Sequence, residues 1–514
     1  MKKEKIIRSP DLAYAHDMLL AYKRDKKALE ARLREEKQIW REVYSRGGSS
    51  SWIFNSIVNK HADVIDAIPT CACLPREQGD EKSAEILSRV IPVMLQRAGF
   101  EGVYSDNAWS KLKHGCAVYG VFWNPMLEDG LGDVDIRGVD ISDIYWDMAV
   151  SDVQDSKNLF IVSTAELDAL RARYGEFEYS NDGEATAISS ALGYSDLPKD
   201  SCIVVDWYYK KHLAGGRDVL HLCKFVGNAI LFSSELDGEY PDGWYSHGKY
   251  PVVFDRLYPS DGGIDGFGMI AIAADAQDYI NRLDENMLSY TDWASRVRFW
   301  AKRSLGVNER EFLDLSRSIV EVEGDIDEEK LRQIEISPID DSVVECKRMK
   351  IEELKEITGS RDVSQGGITG GVTAASAISV LREAGAKTSR DGISESYRCF
   401  VKVVELIIDL IVEFYDFERT FRIVGEGGLR EYIGISGRAI SGGSRPHFDI
   451  EISALKKSPT EADEKNALAN KLFEAGAFER ENAKKTLMLL ELMEFDGVEK
   501  LKASIKKEYA EELL

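Results

Sequence analysis

The stretch from Ile264 to Phe417 limits the possible folds of this chain more than any other. A helix-like run, Ile264 to Asp292, leads into a short, charge-dense insert. A second helix-like run, Ile339 to Thr358, leads out of it. A glycine-rich loop follows, Asp362 to Thr373, and then one very long amphipathic helix from Ala374 to about Asp416. Two helices around an insert, then a loop and a long helix, make a poor enzyme core. They suit a wall segment of a ring with a hole through it.

The rest of the chain supplies several further cores, since 514 residues exceed what one hydrophobic core organises. Lys plus Arg number 66 against 89 Asp plus Glu, a formal net charge of -23. Tight non-specific binding of nucleic acid needs cations that neutralise phosphates. A chain this acidic is therefore a poor candidate for gripping DNA over its whole surface, though it can surround DNA without adhering. The seven cysteines are scattered, and only Cys71 and Cys73 lie close together. No second pair completes a zinc set, so they read as buried, reduced thiols. The N-terminus is basic (Lys2, Lys3, Lys5, Arg8) but lacks the apolar run of a signal peptide. No uncharged apolar window of membrane-spanning length exists. The nearest imitation, Val401 to Tyr415, is interrupted by Lys402, Glu405, Asp409 and Glu413 on one helical face.

Ser9 followed by Pro10 reads as an N-cap with proline in the first turn, opening a helix that runs to about Tyr44. Arg46 to Ser51 ends it. Shorter helices are expected near Ile53 to Ile68, Lys82 to Ala98 and Gly102 to His114. From Cys116 the pattern alternates, giving strands at Ala117 to Trp123, Val134 to Val139, Asp143 to Trp146, Asn158 to Ser163, Ile203 to Lys210, Val219 to Val226, Ile230 to Phe232 and Val252 to Leu257. One helix, Thr164 to Tyr174, interrupts, and Glu176 to Lys199 reads as an exposed insertion. Late strands at Thr420 to Val424, Glu431 to Ile435 and His447 to Ile452 are expected to return and pair with the first sheet. After Pro459 the chain reads as helical, with breaks near Gly476 and Gly497.

Catalytic motifs are absent: no GxxxxGK[ST], HExxH, GxSxG or EF-hand loop occurs. The seven histidines lack metal-ligand spacing and read as surface or packing residues. Asp340 with Asp341, and Asp325 with Asp327, read as solvated acidic loops rather than a hard-cation site. The QGGITGG segment (Gln365 to Gly371) has the backbone amides of a phosphate cradle, but Lys387 is too far along the next helix to reach a phosphate. Gly366, Gly367, Gly370 and Gly371 instead make a segment whose backbone angles change cheaply. Arg361, Ser364, Gln365, Thr369 and Thr373 give it a polar surface suited to a mobile contact on an irregular partner.

In this order the features resemble the portal proteins of tailed bacteriophages, the head-to-tail connectors. Pro259 to Gly268 (PSDGGIDGFG) looks like the lead-in to the family's first stem helix, with Phe267 and Gly268 just before it. Gln277 and Asn281 stand where that helix carries a glutamine and an asparagine, and Thr373 to Glu383 (TAASAISVLRE) is similar to the start of the long wing helix. The resemblance covers nearly the whole chain and is strongest from about residue 250 to 420. It implies an α+β multidomain ring subunit: wing, 1–263; first stem helix, 264–292; a small α/β clip, 293–338; second stem helix, 339–358; tunnel loop, 359–373; long wing helix, 374–418; further wing strands, 419–455; helical crown, 456–514. It also implies a dodecameric ring at one capsid vertex of the virion, assembled in the host cytoplasm. Double-stranded viral DNA passes through its channel. The implied partners are the terminase large subunit, head-completion or adaptor and tail proteins, and the major capsid and scaffolding proteins. No catalysis, cofactor, metal or membrane is implied.

Within that frame, Ile270, Ala273, Ala274, Ile280, Leu283 and Met287 are expected to pack while Asp275, Asp278, Asp284 and Glu285 stay wet. Lys347, Arg348, Lys350 and Lys355 are candidates for channel cations that tune friction on DNA. They are equally placed to pair with Glu345, Glu352, Glu353 and Glu356 at helical spacing. Arg361 to Thr373 are the expected transient DNA contacts. Arg296, Arg298, Phe299, Trp300, Lys302 and Arg303 form a basic, aromatic cluster for partner docking, or else the insert's own core. Two other readings compete: a nucleotide-binding enzyme using the 365–371 loop, and a helical scaffold or adaptor. The strand-rich block from 117 to 257 and the lack of sustained heptads argue against the scaffold.

Overall fold

A computed structural model describes residues 10–45, 51–77, 79–177, 179, 189–194, 198, 200–212, 218–295, 299–301, 310, 331–333, 339–359, 387–424, 430–441, 448–456, 471 and 487. The chain divides into two compact units, Met1–Ile65 with Cys71–Ile452, and Asp66–Thr70 with Ser453–Leu514. Few residues of the second unit are described, and the sites below belong to the first. The expected tunnel loop beyond Gly359, the crown and most of the insert lie outside the described residues.

The N-terminal helix is two helices. α1 (Leu12–Asp25) is capped by Asp11, whose Oδ1 accepts from the Tyr14 amide at 3.2 Å, and not by Ser9. α2 (Lys27–Ser45) follows after a break at Lys26. The break has a tertiary cause. The Lys26 side chain is 1% exposed and donates to the carbonyls of Ile141 (2.5 Å), Ser142 (3.0 Å) and Ile144 (2.7 Å). Helices α3 (Trp52–Ile65), α4 (Glu81–Arg97) and α5 (Phe100–His114) match expectation except that α3 stops before Ile68. There the chain turns into a strand that the sequence reading lacked, β1 (Ala67–Pro75).

The alternating block folds into two antiparallel sheets rather than one. The first, in order β3-β2-β9, comprises β2 (Cys116–Asn124), β3 (Asp133–Val139) and β9 (Val252–Arg256). The second, β4-β5-β6-β7-β8, comprises β4 (Ile144–Tyr145), β5 (Asn158–Glu166), β6 (Ser201–His212), β7 (Asp218–Val226) and β8 (Ala229–Ser233). On one face of β6, Ile203, Val205, Trp207 and Tyr209 meet Phe160, Val162 and Phe225. Ala15, Leu19 and Tyr22 of α1, spaced one helical turn apart, close that core. Cys202 and Val204, on the opposite face, pack with Leu170 of α6 (Leu167–Tyr174) and with Phe177 and Tyr179. α6 starts three residues later than expected because β5 extends to Glu166. The supposed exposed insertion is partly core. Leu192 is buried in the larger cluster, and Tyr194 donates its hydroxyl to Asp143 at 2.8 Å.

The late strands do not join either sheet. β14 (Arg419–Val424) and β15 (Arg430–Ile435) form their own antiparallel pair, and β16 (Phe448–Lys456) pairs with β1. Pairing follows available edges, and the edge that β1 provides is invisible without knowing that β1 exists. The run beginning at Ile264 is also not wholly helical. A short ribbon of β10 (Tyr258–Pro259) and β11 (Gly266–Phe267) precedes α7 (Met269–Ser295). Gly266 and Gly268 are required there, since a Cβ on either would lie within 2.7 Å of backbone atoms of residues 113–115. α8 (Asp341–Thr358) is capped by Asp340, which accepts from the Ser342 amide at 2.9 Å. The long helix is described as α9 (Lys387–Phe414), and a short α10 (Gly437–Ser441) follows β15.

Candidate functional site

α7 and α8 form a two-helix hairpin. Lys347 pairs with Asp284, Lys350 lies 5.1 Å over the Tyr279 ring, and Leu354 packs in the cluster that holds Ala276 and Ile280. As one number rises the other falls, so the helices are antiparallel. Between them the insert contributes a two-stranded antiparallel ribbon, β12 (Phe299–Ala301) with β13 (Leu331–Gln333). Arg296, Arg298, Lys302 and Arg303 lie outside the described residues, as do the side chains of Phe299 and Trp300. So do Arg361, Ser364, Gln365, Gly366, Gly367, Thr369, Gly370, Gly371 and Thr373.

The hairpin has a buried root and an uncovered remainder. α7 buries Met269, Ile270, Ala273, Ala276, Gln277 and Ile280 against Ile53 and Ile57 of α3 and Leu112 of α5. α8 buries only Leu354 and Thr358. Residues 281–295 and 341–353 contain no buried side chain, although Leu283 and Met287 were expected to pack. About 15 residues of α7, some 22 Å of helix, therefore stand beyond the core. They leave apolar side chains exposed, notably Leu288 at 68% and, on α8, Met349 at 59%.

The charges of this hairpin are balanced locally. Its helices carry five Lys/Arg and ten Asp/Glu, and every cation holds a carboxylate. Arg282 pairs with Asp278 at 2.7 Å, Lys347 with Asp284, Arg348 with Glu345 at 3.5 Å, Lys350 with Glu353 at 2.7 Å and Lys355 with Glu352 at 3.7 Å. The four candidate channel cations thus sit in ion pairs, three of them within α8 and one across to α7. The surplus is acidic.

Polar anchors fix the root. Gln277 Oε1 accepts from the Trp52 and Ile53 amides at 2.9 and 3.3 Å, and its Nε2 donates to Asn281 Oδ1 at 2.9 Å. Gln277 thus shares the N-terminal capping of α3 with Ser51, whose Oγ accepts from the Phe54 amide at 3.2 Å. Thr358 and Ser56 hydroxyls meet at 3.2 Å, and Gly359 closes α8 in the left-handed conformation at φ 66°. Beyond residues 360–386, which lie outside the described residues, α9 is held by a buried node. Lys111 Nζ donates to Asp255 Oδ1 (2.6 Å), Gly392 O (2.8 Å) and Ser396 Oγ (2.7 Å), while Ser396 Oγ donates to Asp255 Oδ2 (2.7 Å). The three side chains are 1–4% exposed. Residues 360–386 are therefore bracketed by two fixed points. The sequence reading missed this node, yet it carried signals: Asp255 is a charge inside the apolar strand VVFDR, and Lys111 shares a helix face with Tyr104 and Ala108.

Nothing in the described residues builds a reactive centre. Burial pushes the thiols of Cys71 and Cys223 up to about 12 and those of Cys73 and Cys202 up to about 11, so they stay protonated. Among the described residues, no group of three or more His, Cys, Asp or Glu converges as metal ligands, and no helix is long and apolar enough to cross a membrane. Against known proteins, residues 61–513 match the family model described as phage P22-like portal protein. No curated protein matches.

Proposed function

The chain belongs to the P22-like portal proteins of tailed bacteriophages, the head-to-tail connectors of the capsid vertex in DNA packaging, and from that premise we propose that twelve copies close into a ring with the α7–α8 hairpins as its stem. The hairpins surround the channel for DNA entry and exit. The observation that carries this reading is the hairpin's surface: ten carboxylates, five cations and no cation left without a carboxylate. Duplex DNA carries one charge per roughly 1.7 Å of axis. A lining that offers it no spare cations repels rather than grips, and the thread slides. The exposed Leu288 and Met349 supply apolar area for neighbouring stems to cover.

In the same reading the insert is the clip, where the terminase large subunit docks during filling and adaptor or tail proteins later replace it. Residues Arg361 to Thr373, the tunnel loop of this reading, touch the DNA transiently. The ring hydrolyses nothing itself. Negative-stain images of the purified protein test the proposal. A ring with a central hole is expected. A compact monomer that binds ATP or GTP saturably would favour the enzyme, and an elongated rod the scaffold. Shortening the 361–373 loop is expected to alter packaging or genome retention while rings still assemble. Normal packaging and retention without the loop would remove its DNA-contact role.

A further inference from the structure

One hollow in the first unit runs against the charge of the chain. Residues 1–41 carry twelve Lys/Arg and seven Asp/Glu, so the acidic excess lies entirely in the remainder. α2, α5 and β3 wall in a space of about 430 Å³ that contains Lys37, Trp40, Arg41, Asn107, Lys113 and Gly138. Lys37 is already taken, by Asp140 Oδ2 and Ser142 Oγ, both at 2.9 Å. His114 at the same wall is taken by Glu36 at 2.9 Å. Arg41 and Lys113 have no carboxylate within ion-pair reach among the described residues, and the Lys113 ammonium lies 5.3 Å over the Trp40 ring. Burial, and then the neighbouring Lys37 charge, hold Lys113 below the ordinary lysine range. Asp106, exposed at the rim, is the one lining carboxylate not engaged by Lys37.

Asn107 and Gly138 form a polar part of the wall. Asn107 is 5% exposed, and its Nδ2 has no hydrogen-bond partner. A Cβ at position 138 would come within 2.7 Å of Asn107 Oδ1, so glycine there is what lets the amide sit against β3. Like charges gathered on a concave wall cost free energy until an anion joins them.

We propose that this hollow receives a carboxylate side chain from a second copy of the chain. The inference rests on the ring reading above. Identical neighbours of net charge -23 repel one another across any shared face. Each copy has carboxylates in excess, and two unpaired cations in a concavity are the complement that an adjacent copy can use. The Arg41 guanidinium and Lys113 ammonium take the two carboxylate oxygens at the mouth.

The test is ring assembly of the full chain against salt, followed by native mass spectrometry and sedimentation velocity. Wild-type rings are expected to loosen as NaCl rises, because a surface pair is screened. The Arg41→Gln/Lys113→Gln double variant is expected to assemble about tenfold more weakly at low salt, with a flatter salt response. Arg41→Lys/Lys113→Arg, which keeps both charges, is expected to restore most of the difference. Should the Gln variant precipitate, the wild type still decides: inorganic phosphate at matched ionic strength is expected to lower the ring fraction more than chloride. Rings that form equally well with and without the two cations, or that ignore phosphate, overturn the proposal. So does loss of duplex-DNA binding in the variant with assembly unchanged. Wild type that stays monomeric at every salt concentration breaks the ring reading itself instead.

Discussion

The Lys111–Asp255 contact is 2.6 Å long and its side chains are 3% and 2% exposed; the Lys350–Glu353 contact is 2.7 Å long and its side chains are 30% and 48% exposed. Geometry barely separates the two pairs, and burial separates them completely. At Lys111 the desolvation of two charges is offset only because Ser396 and the Gly392 carbonyl complete the shell, so the group holds one position of α9 and no other. At Lys350 water does most of that work, and the pair adjusts surface charge without fixing position. The body of the first unit thus uses ions to fix the position of α9. The α7–α8 hairpin uses carboxylates to cancel its own cations, as the proposed role of a channel wall facing a polyanion requires.

Five variants test that contrast. Asp255→Ala leaves a buried ammonium without its counter-ion, and a loss of about 3–5 kcal/mol in urea unfolding is expected. Replacing the node by apolar residues (Lys111→Met, Asp255→Leu, Ser396→Ala) should recover much of it, and failure to do so would mean the ions do more than fill space. Lys26→Met strands three carbonyls and is expected to cost about 2–3 kcal/mol. Burial lowers the Lys26 pKa from 10.5 to about 7. Between those values the unfolded chain binds more protons than the folded one, so this residue makes stability rise with pH across the window and cost most below it. The Lys26→Met variant should lose that slope. Gln277→Ala removes the acceptor of the Trp52 and Ile53 amides at the start of α3 and is expected to cost about 1 kcal/mol, with faster amide exchange at Trp52 and Ile53. Lys350→Gln is expected to leave the unfolding midpoint unchanged within error at any salt concentration. A clear loss there would erase the distinction between the two regions.

Local pattern made much of this readable in advance. The alternation of β2, β6 and β7 and the helical period of α4 and α5 are properties of neighbouring residues, and each element falls within a few residues of its expected place; Asp340, expected in a solvated loop, is instead the cap of α8. Errors arose where a distant group decided. The helix through Lys26 was expected to continue because nothing in its neighbours breaks it; the carbonyls that capture it are more than a hundred residues away. β1 was not read as a strand because its partner, β16, lies far along the chain. Gln277 stood out as a position, but its role depends on the α3 amides, and no spacing rule connects residues 277 and 52.

The sequence by itself determined the acidic balance, the two helical runs around an insert, the alternating strand block and, through their order, the family. These follow from composition and from the 2.0 and 3.6 periods, which a chain carries whether or not it is folded. Only the tertiary structure decided which cations are spent in pairs and which remain at Arg41 and Lys113. It also decided that the late strands keep to their own partners and that a lysine, an aspartate and a serine from three elements close on one another. Such groupings depend on burial and on contacts between residues far apart in the chain, where the free energy of a charge is set by what surrounds it and not by what precedes it.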